Sequence, residues 1–346
     1  MSQHTRNAEY SRQQERERKF VGKLIIIGFA LYATLFALGI PADAQQSGKI
    51  PRIGVLVSAT PSTAARRVEA FQRGLRELGY LEGKNIVLEY RYAEGKLEPV
   101  PKLAAELVRL NVDIIVADTS VATQAAKNAT KTIPIVFTSA NDPVGDGQVA
   151  SLARPGGNLT GFSLLALELN EKRLELLKES VPKLTRVAFL QRMGGSEQRF
   201  REAEVAAKGL GLRLQLLRAK GADDLEGAFD AAKRSGVQAV LAHPSAFITI
   251  NRARIIELAV KHRLPVIYSG AEHAAAGGLM SYGPDIADNF QRAAVYVDKI
   301  LKGTNPSDLP VQQPMKFEFV INLKAAKQIG VTIPPNVLAR ADRVIR

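Results

Sequence analysis

Residues 52–58 read RIGVLVS, and residues 186–191 read RVAFLQ. Each opens on an arginine and continues as a short aliphatic or β-branched run without a charge, the pattern of a strand covered on both faces. Each is followed by an amphipathic stretch long enough for a helix, around 63–79 and over 197–210. Strand followed by crossover helix is the unit of a parallel sheet, so this pair decides the fold class.

The same alternation extends outward from both runs. After the first come NIVLEYRYAEG (85–95), a helix over 98–110, DIIVADTS (113–120), a helix over 121–130, IPIVFTS (133–139) and NLTGFS (158–163). The second is preceded by a helix over 170–180. It is followed by LRLQLLRA (212–219), a helix over 223–235, AVLAHPS (239–245), a helix over 247–262, LPVIYS (264–269) and GLMSYGPD (278–285). RIGVLVS therefore matches RVAFLQ, DIIVADTS matches AVLAHPS, and IPIVFTS matches LPVIYS. This repetition predicts an α/β protein of two Rossmann-like lobes, each with a parallel sheet, and a cleft between them. A helix over 286–302, the crossing LPVQQP (309–314), a strand FEFVIN (317–322) and a helix over 323–329 complete the chain. Lobe 1 is expected to span 50–162 with 283–315 returning to it. Lobe 2 is expected to span 163–282 with 316–346 returning to it, giving a hinge of three segments near 162, 283 and 310–316.

The chain has 346 residues, enough for two cores, and no cysteine, which excludes disulfides, thiol nucleophiles and Cys-ligated metals. Its formal charge of +13 is spread over helix faces beside glutamates, without a basic block interleaved with aromatics, so nucleic acid is not expected as a partner. Residues 24–40 form an unbroken apolar run preceded by Arg16, Arg18, Lys19 and Lys23 and followed by Ala42-Asp43-Ala44. Those are the three parts of a secretory signal over 1–44, with an uncleaved membrane anchor as the alternative. Both place the globular part outside the cytoplasm, in the periplasm.

In open parallel sheets, ligands bind beyond the carboxyl ends of the strands, where helix N-termini present free N–H groups. The loops in question are Ser58-Ala59-Thr60, Asp118-Thr119-Ser120, Ser139-Ala140-Asn141-Asp142, Gln191-Arg192-Met193, His243-Pro244-Ser245 and Ser269-Gly270-Ala271-Glu272. Hydroxyls and amides there suit a polar solute, although Ser and Thr at such junctions also serve as helix caps. Asp142, which precedes Pro143, reads either as a turn former or as the partner of a ligand ammonium. The nucleotide, dinucleotide and serine-elbow motifs GxxxxGK[ST], GxGxxG and GxSxG are absent, as are helix-spaced histidine pairs. No enzyme, cofactor or metal is expected.

Further residues carry a family resemblance. FQRGLRELGY with LEGKNIVLEYRYAEG, IPIVF with NDPVG, SLARPGGNLTGFS, HRLPVIY, GGLMSYGPD and KFEFVINLKAAKQIGVTIPP together resemble the ABC-transporter substrate-binding family related to tryptophan-binding lipoproteins, over nearly all of 50–345. The resemblance implies a type I periplasmic-binding fold whose lobes close on a ligand without catalysis; a monomer that captures a small polar molecule such as an amino acid and delivers it to an ABC permease is expected. A sensor presenting its bound form to a membrane receptor is the alternative. Carried over residue by residue, it implies ligand contacts at Ser58, Thr119, Ser120, Asn141, Asp142, Ser245, Ser269 and Asp285. Asp142, Asn141 and Ser120 would form a clamp, with Ser245 and Ser269 closing from the second lobe. HPSAF (243–247) and SGAEHAAAGG (269–278) depart from the aromatic amino-acid binders, so the resemblance does not name the ligand.

Overall fold

The structure is a computed structural model and describes residues 49–164 and 168–346. The secretory segment read over 1–44 lies outside the described residues.

The first sheet contains β1 (Arg52–Val57), β2 (Val87–Tyr92), β3 (Ile114–Ala117), β4 (Ile135–Ala140) and β5 (Leu159–Ser163), in the order β2-β1-β3-β4-β5 with every pair parallel. Its helices are α1 (Pro61–Glu77), α2 (Val100–Arg109) and α3 (Ser120–Ala129). The period of two along the strands places Ile53, Val55 and Val57 in one core layer and Leu56 in the other. Gly54 belongs in β1 because a Cβ there would come within 2.9 Å of the Leu107 side chain on α2.

The second half of the chain repeats this arrangement. After α4 (Glu168–Ser180) come β6 (Arg186–Arg192), α5 (Glu197–Gly209), β7 (Arg213–Ala219), α6 (Ala222–Arg234) and β8 (Ala239–Ala242). They continue into α7 (Ala246–Ile250), α8 (Arg252–His262), β9 (Val266–Tyr268), α9 (Ala271–Ala275) and β10 (Met280–Pro284). The strands run β7-β6-β8-β9-β10, the order of the first sheet, and two more, β11 (Phe317–Asn322) and β12 (Arg343–Ile345), extend the edge. The second sheet is not wholly parallel, because β11 runs antiparallel to β10. The chain reaches β11 from the other lobe, so no crossover helix forces a parallel approach.

Between those last strands, α10 (Ile286–Leu301) returns to the first sheet. Phe290, Ala293, Ala294 and Val297 join the core of β1 and α1. Gly74 permits the close α1–α10 contact, since a Cβ there would meet the Gln291 carbonyl at 2.5 Å. The short α11 (Leu323–Ile329) and α12 (Pro335–Leu338) pack with the second sheet. The chain thus passes between lobes after β5, after β10 and before β11. These crossings are hydrogen-bonded to one another: Ser163 N donates to the Gln312 carbonyl at 2.9 Å, and Asp285 N to the Lys316 carbonyl at 3.0 Å.

Two local expectations change. The helix read over 247–262 is broken into α7 and α8 at Asn251, whose side chain donates to the Phe247 carbonyl at 2.9 Å. The stretch read as loop after LPVIYS contains α9.

Candidate ligand-binding site

The carboxyl ends of both sheets face each other, and helix N-termini gather there because of their capping residues. Thr60 caps α1, Thr119 caps α3 and Ser245 caps α7, each accepting from a backbone N–H in the first turn. Between the lobes lies a cavity of about 130 Å³. Asp118, Thr119, Ser120, Ser139, Asn141 and Arg67 line it from the first lobe, and Arg199, Ser245, Thr249, Ser269, Glu272 and His273 from the second. Its apolar wall includes Val121, Leu164, Pro244 and Ile286. A smaller space of about 50 Å³ adjoins it, sharing Arg67, Glu272 and Ile286.

Two contacts hold the lobes together at this cavity. Asn141 Nδ2 donates to the Pro244 carbonyl across the cleft at 2.7 Å, while its backbone N–H donates to Ser120 Oγ at 3.0 Å. Arg199, on α5, pairs with Asp146 in the loop after β4.

The charges of the lining are unevenly compensated. Asp118 is buried and accepts from Ser58 N at 3.0 Å and Ser58 Oγ at 2.9 Å. Burial pushes its carboxyl up, against the opposing pull of Arg67 and of those hydrogen bonds. Arg67 lies with its guanidinium 5.8 Å from the Phe290 ring centre and has no hydrogen bond or ion pair among the described residues. On the facing lobe, burial opposes the charge of Glu272, while the nearby guanidinium groups of Arg67 and Arg252 favour it. Burial pushes the His273 imidazole down, favouring its neutral form.

Of the residues named from sequence, Thr119, Ser120, Asn141, Ser245 and Ser269 are brought together on the cavity wall. Ser58 stands one layer behind, its hydroxyl occupied by Asp118 and by Thr119 Oγ1 at 2.8 Å. Asp142 stands outside the lining, and its Oδ1 accepts from Gly145 N at 2.8 Å in the turn that Pro143 begins. Asp285 lines the smaller space and not the main cavity. It caps α10, accepting from Ala287 N at 3.0 Å, and meets Arg66 at 3.5 Å beside the smaller space. Of the three residues read as a clamp, Asn141 and Ser120 stand on the cavity wall and Asp142 does not.

Arg67, Arg199 and Thr249 were not foreseen. The two arginines left a signal in the helical period. Arg67 falls three residues after buried Ala64 and four before buried Phe71, and Arg199 four before buried Ala203. Each is a cation continuing an apolar stripe, and the two stand on equivalent helices of the two lobes.

Residues 52–345 match the family described as ABC transporter substrate binding protein. The chain belongs to this family. As a substrate-binding protein it is similar to a tyrosine-binding protein of Clostridioides difficile (strain R20291), with 27% identity over 298 residues and 82% of each chain covered. A solved conserved domain protein from Vibrio cholerae is 31% identical with a TM-score of 0.79, covering 86% of this chain and all of that one. A domain from Streptococcus pneumoniae, solved in complex with L-Trp, is 26% identical with a TM-score of 0.79, again over 86% of this chain and all of that one. The two-lobed architecture is that of the periplasmic-binding proteins.

Proposed function

We propose that this substrate-binding protein captures an amino acid or a close relative between its lobes, outside the cytoplasm, and passes it unchanged to an ABC permease. The observation that carries the reading is the charge arrangement of the cleft. Arg67, from the first lobe and without an ion pair among the described residues, faces the same space as Glu272 from the second. A guanidinium pairs with an α-carboxylate and a carboxylate with an α-ammonium, so a zwitterion complements both lobes at once. Ligands held by both lobes favour the closed form, which Asn141–Pro244 and Arg199–Asp146 already stabilise. The similarity to tyrosine- and tryptophan-binding relatives supports the same solute class. Thr119 and Ser245 are engaged as helix caps, which suits binding better than nucleophilic chemistry. Secretion rests on the apolar run at 24–40 and its basic flank.

Thermal-shift measurement against the L-amino acids, with Arg67→Met beside the wild type, tests this reading. At least one amino acid should raise the wild-type melting temperature, and the variant should lose that rise while keeping its unliganded melting temperature. A panel without any response refutes the proposal.

A further inference from the structure

Most polar atoms of the cavity wall have protein partners, but two deeply buried ones do not. Ser139 Oγ from the first lobe and His273 Nε2 from the second both belong to lining residues, and neither has a hydrogen-bond partner among the described residues. Ser139 is 6% exposed and His273 2%. A buried polar atom left unpaired costs as much as a lost hydrogen bond, so an occupied site is expected to complete it.

The two atoms make different demands. A hydroxyl rotates and serves as donor or acceptor, so Ser139 accepts a range of partners. His273 is fixed. Its Nδ1 lies 3.1 Å from the Gly270 carbonyl, which can only accept, so Nδ1 carries the proton. The ring is stacked on Tyr268, with centres 5.0 Å apart and planes 12° apart, so flipping it would give up the Gly270 bond. Nε2 is then an acceptor whose complement must be an N–H or O–H. The downward push that burial gives this imidazole agrees with that neutral tautomer.

We propose that His273 is a specificity-determining residue of the cleft, selecting an amino acid whose side chain carries a hydrogen-bond donor over the isostere that lacks one. This rests on the amino-acid reading and sharpens it. A site built to pair a polar group rejects the analogue without it far more strongly than an apolar pocket rejects an extra hydroxyl, because its own buried atom is left unpaired. Among the described residues the lining contains no Phe, Tyr or Trp, so its polar atoms have the larger share in discrimination. The two related proteins associated with tyrosine and L-Trp take ligands whose side chains each end in or contain such a donor.

The test uses pairs that differ in one hydroxyl, L-tyrosine with L-phenylalanine and L-threonine with L-valine, titrated calorimetrically into the full wild-type protein and into His273→Phe and His273→Gln. In whichever pair binds, the hydroxyl-bearing member should bind about tenfold or more tightly to the wild type. That ratio should collapse toward one in His273→Phe and be partly retained in His273→Gln, whose amide oxygen can still accept. Equal affinity for both members in the wild type means that water completes Nε2, and overturns the role of His273 while leaving the amino-acid reading intact. The wild-type comparison decides this even if a variant fails to fold. Binding of none of these four, together with silence of the whole amino-acid panel, overturns the amino-acid reading and this proposal with it.

Discussion

Replacing Asp146 with asparagine should weaken ligand binding without touching the ligand. Asp146 is outside the main cavity's lining but pairs with Arg199 across the lobes, so the variant isolates closure from contact. The two side chains are 28% and 17% exposed. That places the pair between exposed ion pairs, worth about 0.2–1 kcal/mol, and charge-assisted hydrogen bonds, worth about 1.5–3 kcal/mol. Loss of about 1 kcal/mol from the closed form corresponds to about a fivefold rise in the dissociation constant. Burial pushes the Asp146 carboxyl up against the pull of Arg199, so removing its charge also relieves a desolvation cost, and the unliganded melting temperature should hardly move. Calorimetric titration at low salt, with the amino acid identified by the panel, should show the fivefold loss. Near 1 M salt, where the screening length is about 3 Å, the difference from wild type should shrink. Equal affinities at low salt, or an undiminished loss at high salt, would refute the latch.

Two further variants follow from the same geometry. Asp142→Ala removes the bond to Gly145 N, so unfolding stability should fall by about 0.5–1.5 kcal/mol in denaturant titration while affinity stays nearly constant; a pure affinity loss would put Asp142 back in the site. Burial pushes the His243 imidazole down to about 3, so the unfolded chain takes up its proton first as pH falls. The stability that neutral His243 preserves is complete above about pH 6.5 and is lost progressively as pH falls from there toward 3, at up to about 1.4 kcal/mol per pH unit. Denaturation curves of His243→Phe should be flatter across that window, and an unchanged slope would contradict the assignment.

The sheets were legible because their strands are covered on both faces. RIGVLVS and RVAFLQ declare themselves by composition, and the repeated element order foretold the matching strand orders. What lay hidden depends on tertiary neighbours. β12 is three residues long and takes its identity from pairing with β11, and the antiparallel turn of β11 arises only because the chain returns from the other lobe. At the site, strand ends led to Thr119, Ser120, Asn141, Ser245 and Ser269, which stand on the cavity wall. The same rule led to Asp142, which lies outside the lining in a turn with Gly145, and to Asp285, which caps a helix beside the smaller space. Arg67 and Arg199 stand inside helices and not at strand ends. Attention to cations on apolar stripes would have found them.

The central claim, that a zwitterionic small molecule is held between the lobes, is tested most directly by native mass spectrometry of the protein isolated from its own compartment. The account predicts a single noncovalent adduct with the mass of one amino acid or close relative, released on denaturation and missing from Arg67→Met. An adduct of another class, such as a sugar or lipid, or the same adduct retained in full by Arg67→Met, would contradict it.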